Sequence, residues 1–218
     1  MNKILVVKEI EYEGLADLQK VSQLLDEQVE THSIEKINWK NFPYKPQVHF
    51  KMAHNNNQIW LKYIVEEETV LAEKTRTNQL VSMDSCVEFF FDPLGDGNYY
   101  NFEFNCIGTT LLAYGPQRKE REYITPKTIE HLVKVGSSLG KNSFVEKKGG
   151  HKWEVTIVLP VEILAHDPGI KLKGLKSRAN FYKCGDATST PHYLSWNPID
   201  TKKPDFHRPE FFGELIFE

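Results

Sequence analysis

The chain has 218 residues and a mass of 25.3 kDa, which predicts one large domain over residues 1–218 rather than two. Hydrophobic residues make up 40% and charged residues 26%, a composition that excludes disorder for most of the length. The 27 basic and 30 acidic residues leave a net charge of −3, so the chain lacks the basic surface that attracts nucleic acids and anionic membranes. We therefore expect neither nucleic acid nor membrane as a partner.

The cysteines and the N-terminus bear on the compartment. Cys86, Cys106 and Cys184 are odd in number, lack paired spacing and lie in apolar runs, so they are predicted to be buried free thiols. Residues 4–7 are the only consecutive apolar residues near the start, too few for the core of a signal peptide. The sequence as written therefore predicts a cytoplasmic protein, although a chain without its leader would look the same.

Residues 4–10 predict a first strand, and an amphipathic helix follows over 14–28 with Leu15, Leu18, Val21, Leu24 and Leu25 three or four residues apart. We interpret 1–33 as an extension packed on the main domain. Further strand-like runs follow at 48–53, 58–65, 86–92, 99–107, 109–114, 153–159, 178–184 and 212–217. Many short strands predict an all-β sandwich or barrel with few helices.

Turn-forming residues separate these runs at 55–57, 92–98 and 147–150, where Asn, Asp and Gly permit the backbone angles that hairpins need. The segment 116–150 is the least regular, and we interpret it as a long excursion with one short helix over 128–135.

Two neighbouring strand segments carry polar residues on one face. Alternate residues of a strand share a face, so Asn101, Glu103 and Asn105 lie opposite the aromatic residues between them. If segments 86–92 and 99–107 pair as a hairpin, Glu88 joins this polar face. The predicted core then contains Val87, Phe89, Phe91, Tyr100, Phe102 and Phe104. The polar face is either a solvated surface or a binding site.

Aromatic residues further along the chain favour a ligand with both polar and apolar faces. Arg178 lies in a late strand, and Tyr193 and Trp196 lie near a proline-punctuated loop. Trp196 at this junction is either part of the core or a stacking platform. Sugars are bound by flat aromatic faces surrounded by carboxylate, amide and guanidinium groups.

Over residues 34–218, the order and spacing of six segments resemble the family 9 carbohydrate-binding modules and their relatives in the DOMON-type superfamily; the segments are 84–92, 98–105, 153–160, 178–183, 195–198 and 206–213. The resemblance implies a β-sandwich of jelly-roll type that binds a mono- or oligosaccharide without catalysis. It also implies a link to polysaccharide catabolism and association with glycoside hydrolases.

The resemblance places Trp196 at the second clamp tryptophan of the family and Glu88 at its sugar-contacting acid. On this basis the expected ligand-binding residues are Trp196, Glu88, Asn101, Glu103, Arg178 and Tyr193. Residues 80–83, where the first clamp tryptophan would fall, contain no aromatic residue, so Trp39, Tyr44 or Tyr193 would have to supply a second aromatic face.

Three alternatives stay open at this point. Glu88 and Glu103 could form the carboxyl pair of a glycoside hydrolase. Met83 and Lys183 could be axial ligands of haem, as in some DOMON-type relatives. No cofactor is required by the sequence, but Asp92 and Asp96 in a glycine-containing turn could bind calcium.

Overall fold

The structure is a computed structural model that describes residues 2–12 and 17–218. The beginning of the predicted helix, with Leu15, lies outside the described residues. Helix α1 spans Leu18–Gln28, and the Asp17 carboxylate caps it by accepting a hydrogen bond of 2.7 Å from the Gln19 amide. In the described part of the chain, no helix has the length and apolarity to cross a membrane.

The described residues form two helices and fourteen strands. The helices are α1 and α2 (Pro126–Leu132). The strands are β1 (Ile4–Glu9), β2 (His32–Ser33), β3 (Lys36–Ile37), β4 (Gln47–His54), β5 (Gln58–Ala72), β6 (Cys86–Asp92), β7 (Tyr99–Asn105), β8 (Thr110–Gln117), β9 (Glu120–Tyr123), β10 (Lys134–Ser137), β11 (Phe144–Pro160), β12 (Lys176–Cys184), β13 (Tyr193–Ser195) and β14 (Gly213–Phe217).

The strands form two layers that share β1. One layer follows the order β1-β14-β12-β6-β7-β8-β9, and the other follows β10-β11-β5-β4-β1. The first half of β1 pairs in parallel with β14, and Lys8 and Glu9 pair with the end of β4. The all-β sandwich that the sequence predicts is therefore confirmed.

The core lies between the two layers, as the alternation of residues predicts. All six predicted core residues, at positions 87, 89, 91, 100, 102 and 104, are fully buried. Trp60 on β5 and Trp153 on β11 are also fully buried. The three cysteines are free and buried, in agreement with their apolar surroundings. This core fixes which side chains of β6 and β7 point away from it.

The segment predicted to be irregular contains more strand than expected. It includes the end of β8, all of β9 and β10, and the first half of β11. The prediction of a turn at 147–150 is wrong, because Gly149 and Gly150 adopt positive φ angles inside β11, where the register with β5 shifts. Glycine there allows a bulge rather than a chain reversal. Helix α2 begins two residues before the predicted start because Thr125 caps it and Pro126 occupies its first turn.

Candidate functional site

A cavity of about 220 Å³ lies on the face of β6, β7, β8 and β12 that points away from the core. Its floor consists of side chains from all four strands: Glu88, Asn101, Glu103, Leu111, Ala113 and Cys184. Their sequence neighbours, such as Phe89 and Phe102, point into the core. The cavity thus exists because polar and apolar residues alternate along these strands.

The polar face is not a solvated sheet surface. Glu88, Asn101 and Glu103 are 3%, 3% and 7% exposed. Loops before β4 and β14 cover the rest of this sheet face, where Trp39 and Phe206 pack on it in a second apolar cluster. The solvated-surface alternative is therefore wrong, and the carboxyl groups lie in a largely desolvated site.

Glu88 and Glu103 are direct neighbours across β6 and β7. Burial raises the pKa of both carboxyl groups, that of Glu103 to about 7, and the proximity of Glu103 raises the pKa of Glu88 further. At neutral pH the pair therefore retains protons that an exposed pair would lose.

Both carboxyl groups belong to the floor, so they approach a ligand from the same side. Glycoside hydrolysis instead requires two carboxyl groups that flank the scissile bond. The arrangement of Glu88 and Glu103 therefore favours recognition of hydroxyl groups over hydrolysis.

Asn101 and Arg121 hold Glu103 in position. The Asn101 amide donates a hydrogen bond of 2.9 Å to Glu103 Oε1, and its carbonyl oxygen accepts one from Arg121. The same guanidinium donates to the carbonyl oxygens of Tyr99 and Ala113, each at 2.9 Å, and lies 4.2 Å from the centre of the Tyr99 ring. Arg121 is thus a positioning group: its two terminal nitrogens donate to the protein, and its Nε is buried without a hydrogen-bond partner in the described residues.

The β8–β9 hairpin places Arg121 over the sheet because its register shifts between Tyr114 and Gln117. Gly115 makes this possible: its φ is +149°, and a Cβ there would lie 2.0 Å from the Glu120 carbonyl oxygen. A glycine outside the cavity therefore determines where this part of the cavity wall lies.

The rim is polar and aromatic, and it is formed by Arg118, Tyr123, Asp186, Tyr193, Asp205 and His207. Arg118 and Asp205 form an ion pair of 3.2 Å. Burial lowers the pKa of His207 to about 3, so its imidazole is neutral, and it lies 2.8 Å from the Tyr99 hydroxyl. Tyr193 is half-buried and its ring packs edge-on against Phe206.

Two groups of residues were candidates for metals. Ligand atoms of Cys86, Glu88 and Cys184 lie within 4.8 Å of one another. Burial raises the pKa of Cys86, and a hydrogen bond with Cys86, followed by burial, raises the pKa of Cys184, which donates to Glu88 at 3.1 Å. In the β6–β7 turn, the Asp92 carboxylate accepts hydrogen bonds from the amides of residues 95, 96 and 97, and Asp96 accepts two from Asn98. Calcium at Asp92 and Asp96 stays a prediction.

Lys183, which the haem alternative requires, lies outside the cavity. Its side chain is fully buried, and its Nζ forms an ion pair of 2.8 Å with Glu67 Oε2 and lies 2.7 Å from His192 Nε2. An amine held in this way is not available as an axial ligand.

Four of the six predicted ligand residues line the cavity, namely Glu88, Asn101, Glu103 and Tyr193. Trp196 does not, because it is 3% exposed and its ring packs edge-on against Phe50 and Phe181 in the main core. Tyr193 and Trp196 are three residues apart, so they point to opposite faces of an extended chain. The prediction that Trp196 is a stacking platform is therefore wrong.

Arg178 also lies away from the cavity. It pairs with Asp92, whereas Glu88 lies opposite Tyr182, four residues and about 13 Å further along β12. Its guanidinium donates to the carbonyl oxygens of Phe212 at 2.9 Å and Glu210 at 3.3 Å. Arg178 therefore stabilises the chain entering β14 rather than contacting a ligand.

Arg118, Arg121, Asp186, Asp205 and His207 line the cavity but were not predicted. The two arginines lie in a charged run at 117–122 inside the segment 116–150, whose sequence predicts an irregular excursion and no site. His207 lies in the segment 206–213 that resembles the family, but the sequence assigns it no role, and Asp186 and Asp205 lie in loops without periodicity.

The fold is a β-sandwich with a polar cavity on one sheet face. The sequence profile of carbohydrate-binding family 9 matches residues 19–217, and the chain belongs to this family. No protein of curated function matches the chain.

Solved structures agree with this assignment. The chain is similar to a proposed carbohydrate-binding protein from Bacteroides uniformis, with 41% identity over 100% of both chains and a TM-score of 0.96. It shares its fold with a family 9 module from Caldicellulosiruptor kristjanssonii, solved with glucose and with cellotriose. The glucose complex is 14% identical, with 99% of this chain and 96% of that chain covered and a TM-score of 0.63. The cellotriose complex is also 14% identical, with 99% and 94% covered and a TM-score of 0.64.

Proposed function

We propose that the cavity over β6, β7, β8 and β12 binds a single sugar residue, either a monosaccharide or the end of a chain, without catalysis. The observation that carries this proposal is that Glu88, Asn101, Glu103 and Tyr193 line one cavity in a member of a carbohydrate-binding family. A volume of about 220 Å³ is below the usual range of about 300–1,000 Å³ for drug-sized ligands, so it suits one ring better than several.

The roles of the side chains follow from their chemistry. Asn101 and the two carboxyl groups lie on the floor, where they bond hydroxyl groups in the plane of the ring. Tyr193 takes the place of the tryptophans of the family and presents its ring to an apolar C–H face. Arg121 does not contact the sugar; it orients Asn101.

Family membership supports a role in polysaccharide catabolism, beside glycoside hydrolases that cleave the polysaccharide. In this role the protein would retain a sugar or a chain end after cleavage. Free sugars should then bind without being altered, which chromatography of the sugar after prolonged incubation tests.

Isothermal titration calorimetry with neutral and amino monosaccharides, cello-oligosaccharides and xylo-oligosaccharides tests the proposal. We expect saturable one-to-one binding for at least one sugar, and loss of at least tenfold in affinity for Asn101→Ala. Asn98→Ala is a matched control, because Asn98 lies in the β6–β7 turn outside the cavity lining, where its side-chain amide donates to Asp96. The proposal fails if no sugar of the panel binds, or if both variants lose affinity equally.

A further inference from the structure

The cavity contains more carboxyl groups than cations. Four carboxyl groups line it, those of Glu88, Glu103, Asp186 and Asp205, together with two guanidinium groups, those of Arg118 and Arg121. His207, the histidine of the lining, is neutral because burial lowers its pKa. The cavity therefore carries an excess of negative charge whenever its acids are ionised.

The two arginines act on the floor only from a distance: both lower the pKa of Glu103 and Arg118 lowers that of Glu88, but burial raises both pKa values by more. Arg118 pairs with Asp205 at the rim, and Arg121 donates to backbone carbonyl oxygens and to Asn101. In the described part of the chain, no lysine, arginine or histidine nitrogen lies within 4.0 Å of the carboxylate oxygens of Glu88 or Glu103. Two buried acids thus face the cavity without a counter-ion.

Glu88 is the clearest case. Glu88 is 3% exposed, and in the described structure its carboxylate accepts one hydrogen bond, which the Cys184 thiol donates. A thiol is a weak donor, so it compensates little of the cost of burying a charged carboxylate. Glu103 receives a single hydrogen bond from Asn101. A cation placed between these neighbours would compensate both charges at once.

We propose that the preferred ligand is an amino sugar with a protonated primary amine, whose ammonium group lies between Glu88 and Glu103. This inference rests on the proposed function, since it names the sugar class that the same cavity takes. An ammonium group has three donors and no acceptor, which complements two carboxylates that lack donors. The hydroxyl groups of the sugar then reach Asn101 and the polar rim.

Proton release accompanies this mode of binding. Burial raises the pKa of both carboxyl groups in the free protein. Repulsion from Glu103 raises the pKa of Glu88 further, and repulsion from Asp186 raises that of Glu103; an adjacent ammonium lowers both pKa values again. Near neutral pH, binding of an amino sugar therefore drives protons from the pair into solution. A neutral sugar has no charge with which to do this.

Calorimetry with glucosamine, glucose and N-acetylglucosamine at pH 7, in two buffers of different ionisation enthalpy, tests the inference. We expect glucosamine to bind at least tenfold more tightly than the other two sugars and to release protons. Equal or tighter binding of glucose or N-acetylglucosamine overturns the inference and leaves the proposed function intact. No binding by any sugar of the wider panel overturns both.

Charge-neutral variants locate the effect. In Glu88→Gln and Glu103→Gln, the ratio of glucosamine to glucose affinity should fall toward one. Glu122→Gln removes the same charge from an exposed position on β9 outside the cavity, and it should keep the wild-type ratio. Thermal unfolding verifies that each variant is folded. A ratio unchanged in both floor variants overturns the inference.

Discussion

Replacement of Trp196 separates a core role from a ligand-stacking role. The indole ring is 3% exposed, and a ring of this kind buries roughly 200 Å² of surface. At about 25 cal/mol per Å², this burial corresponds to about 5 kcal/mol as an upper bound. We therefore expect Trp196→Ala to lower the free energy of unfolding by about 3–5 kcal/mol.

Gly213 provides an independent measure of the same packing. A Cβ at this position would lie 2.5 Å from Cζ3 of the Trp196 ring and 2.8 Å from the Lys3 carbonyl oxygen. Gly213→Ala should therefore be destabilising, and Trp196→Phe, which removes the outer ring atoms, should relieve part of the clash. We expect a coupling free energy of about 1 kcal/mol in the double-mutant cycle.

Urea unfolding followed by far-ultraviolet circular dichroism gives these free energies, because it does not depend on the tryptophan that is replaced. Sugar affinity of the folded Trp196→Phe variant should stay within about threefold of wild type, whereas Tyr193→Ala should weaken binding with a smaller loss of stability. The reasoning is refuted if Trp196→Ala costs less than about 1 kcal/mol and abolishes sugar binding.

Three further predictions concern stability and cavity shape. Lys183→Met leaves the buried Glu67 carboxylate without its cation, so it should destabilise the fold by about 3–5 kcal/mol, and the double variant with Glu67→Gln should recover much of this loss in urea unfolding. Folding raises the pKa of the Glu103 carboxyl group from 4.5 to about 7, so the protonated carboxyl group stabilises the fold at low pH. About 3 kcal/mol of this stability should be lost as the pH rises from about 4.5 to 7. Glu103→Gln should make the free energy of unfolding depend less on pH over this range, and an unchanged slope would contradict the prediction. Gly115→Ala should displace Arg121 and weaken sugar binding at least tenfold in calorimetry, and wild-type affinity in a folded variant would show that the hairpin does not shape the cavity.

Residue alternation accounts for the part of the site that the sequence predicts. Glu88, Asn101 and Glu103 share a face because they lie in two strands joined by a short turn, and both the pairing and the face follow from local pattern. The same rule, applied to Tyr193 and Trp196, shows that only one of them can face the cavity. Which of the two points into the core instead depends on the pairing of β13 with β12, which the sequence does not show.

The remaining cavity residues depend on contacts that local sequence does not encode. Arg121 reaches the floor through a register shift at Gly115, and Asp205 and His207 arrive from an irregular loop that follows no period. Arg178 was predicted to reach the site and does not. It lies in the same strand as Tyr182, which pairs with Glu88, but four residues along that strand from it, too far to reach the cavity. Whether a residue belongs to a site therefore depends on its position along the strand as well as on the sheet face to which its side chain points.

The most direct test of the account is to map a bound sugar by ¹H–¹⁵N chemical-shift perturbation, with the tightest ligand of the panel at saturation. The account predicts the largest shifts at the backbone amides of Asn101, Glu103, Ala113, Tyr193 and His207. It is contradicted if the largest shifts instead cluster around Trp196 and Arg178 while the cavity residues stay unperturbed.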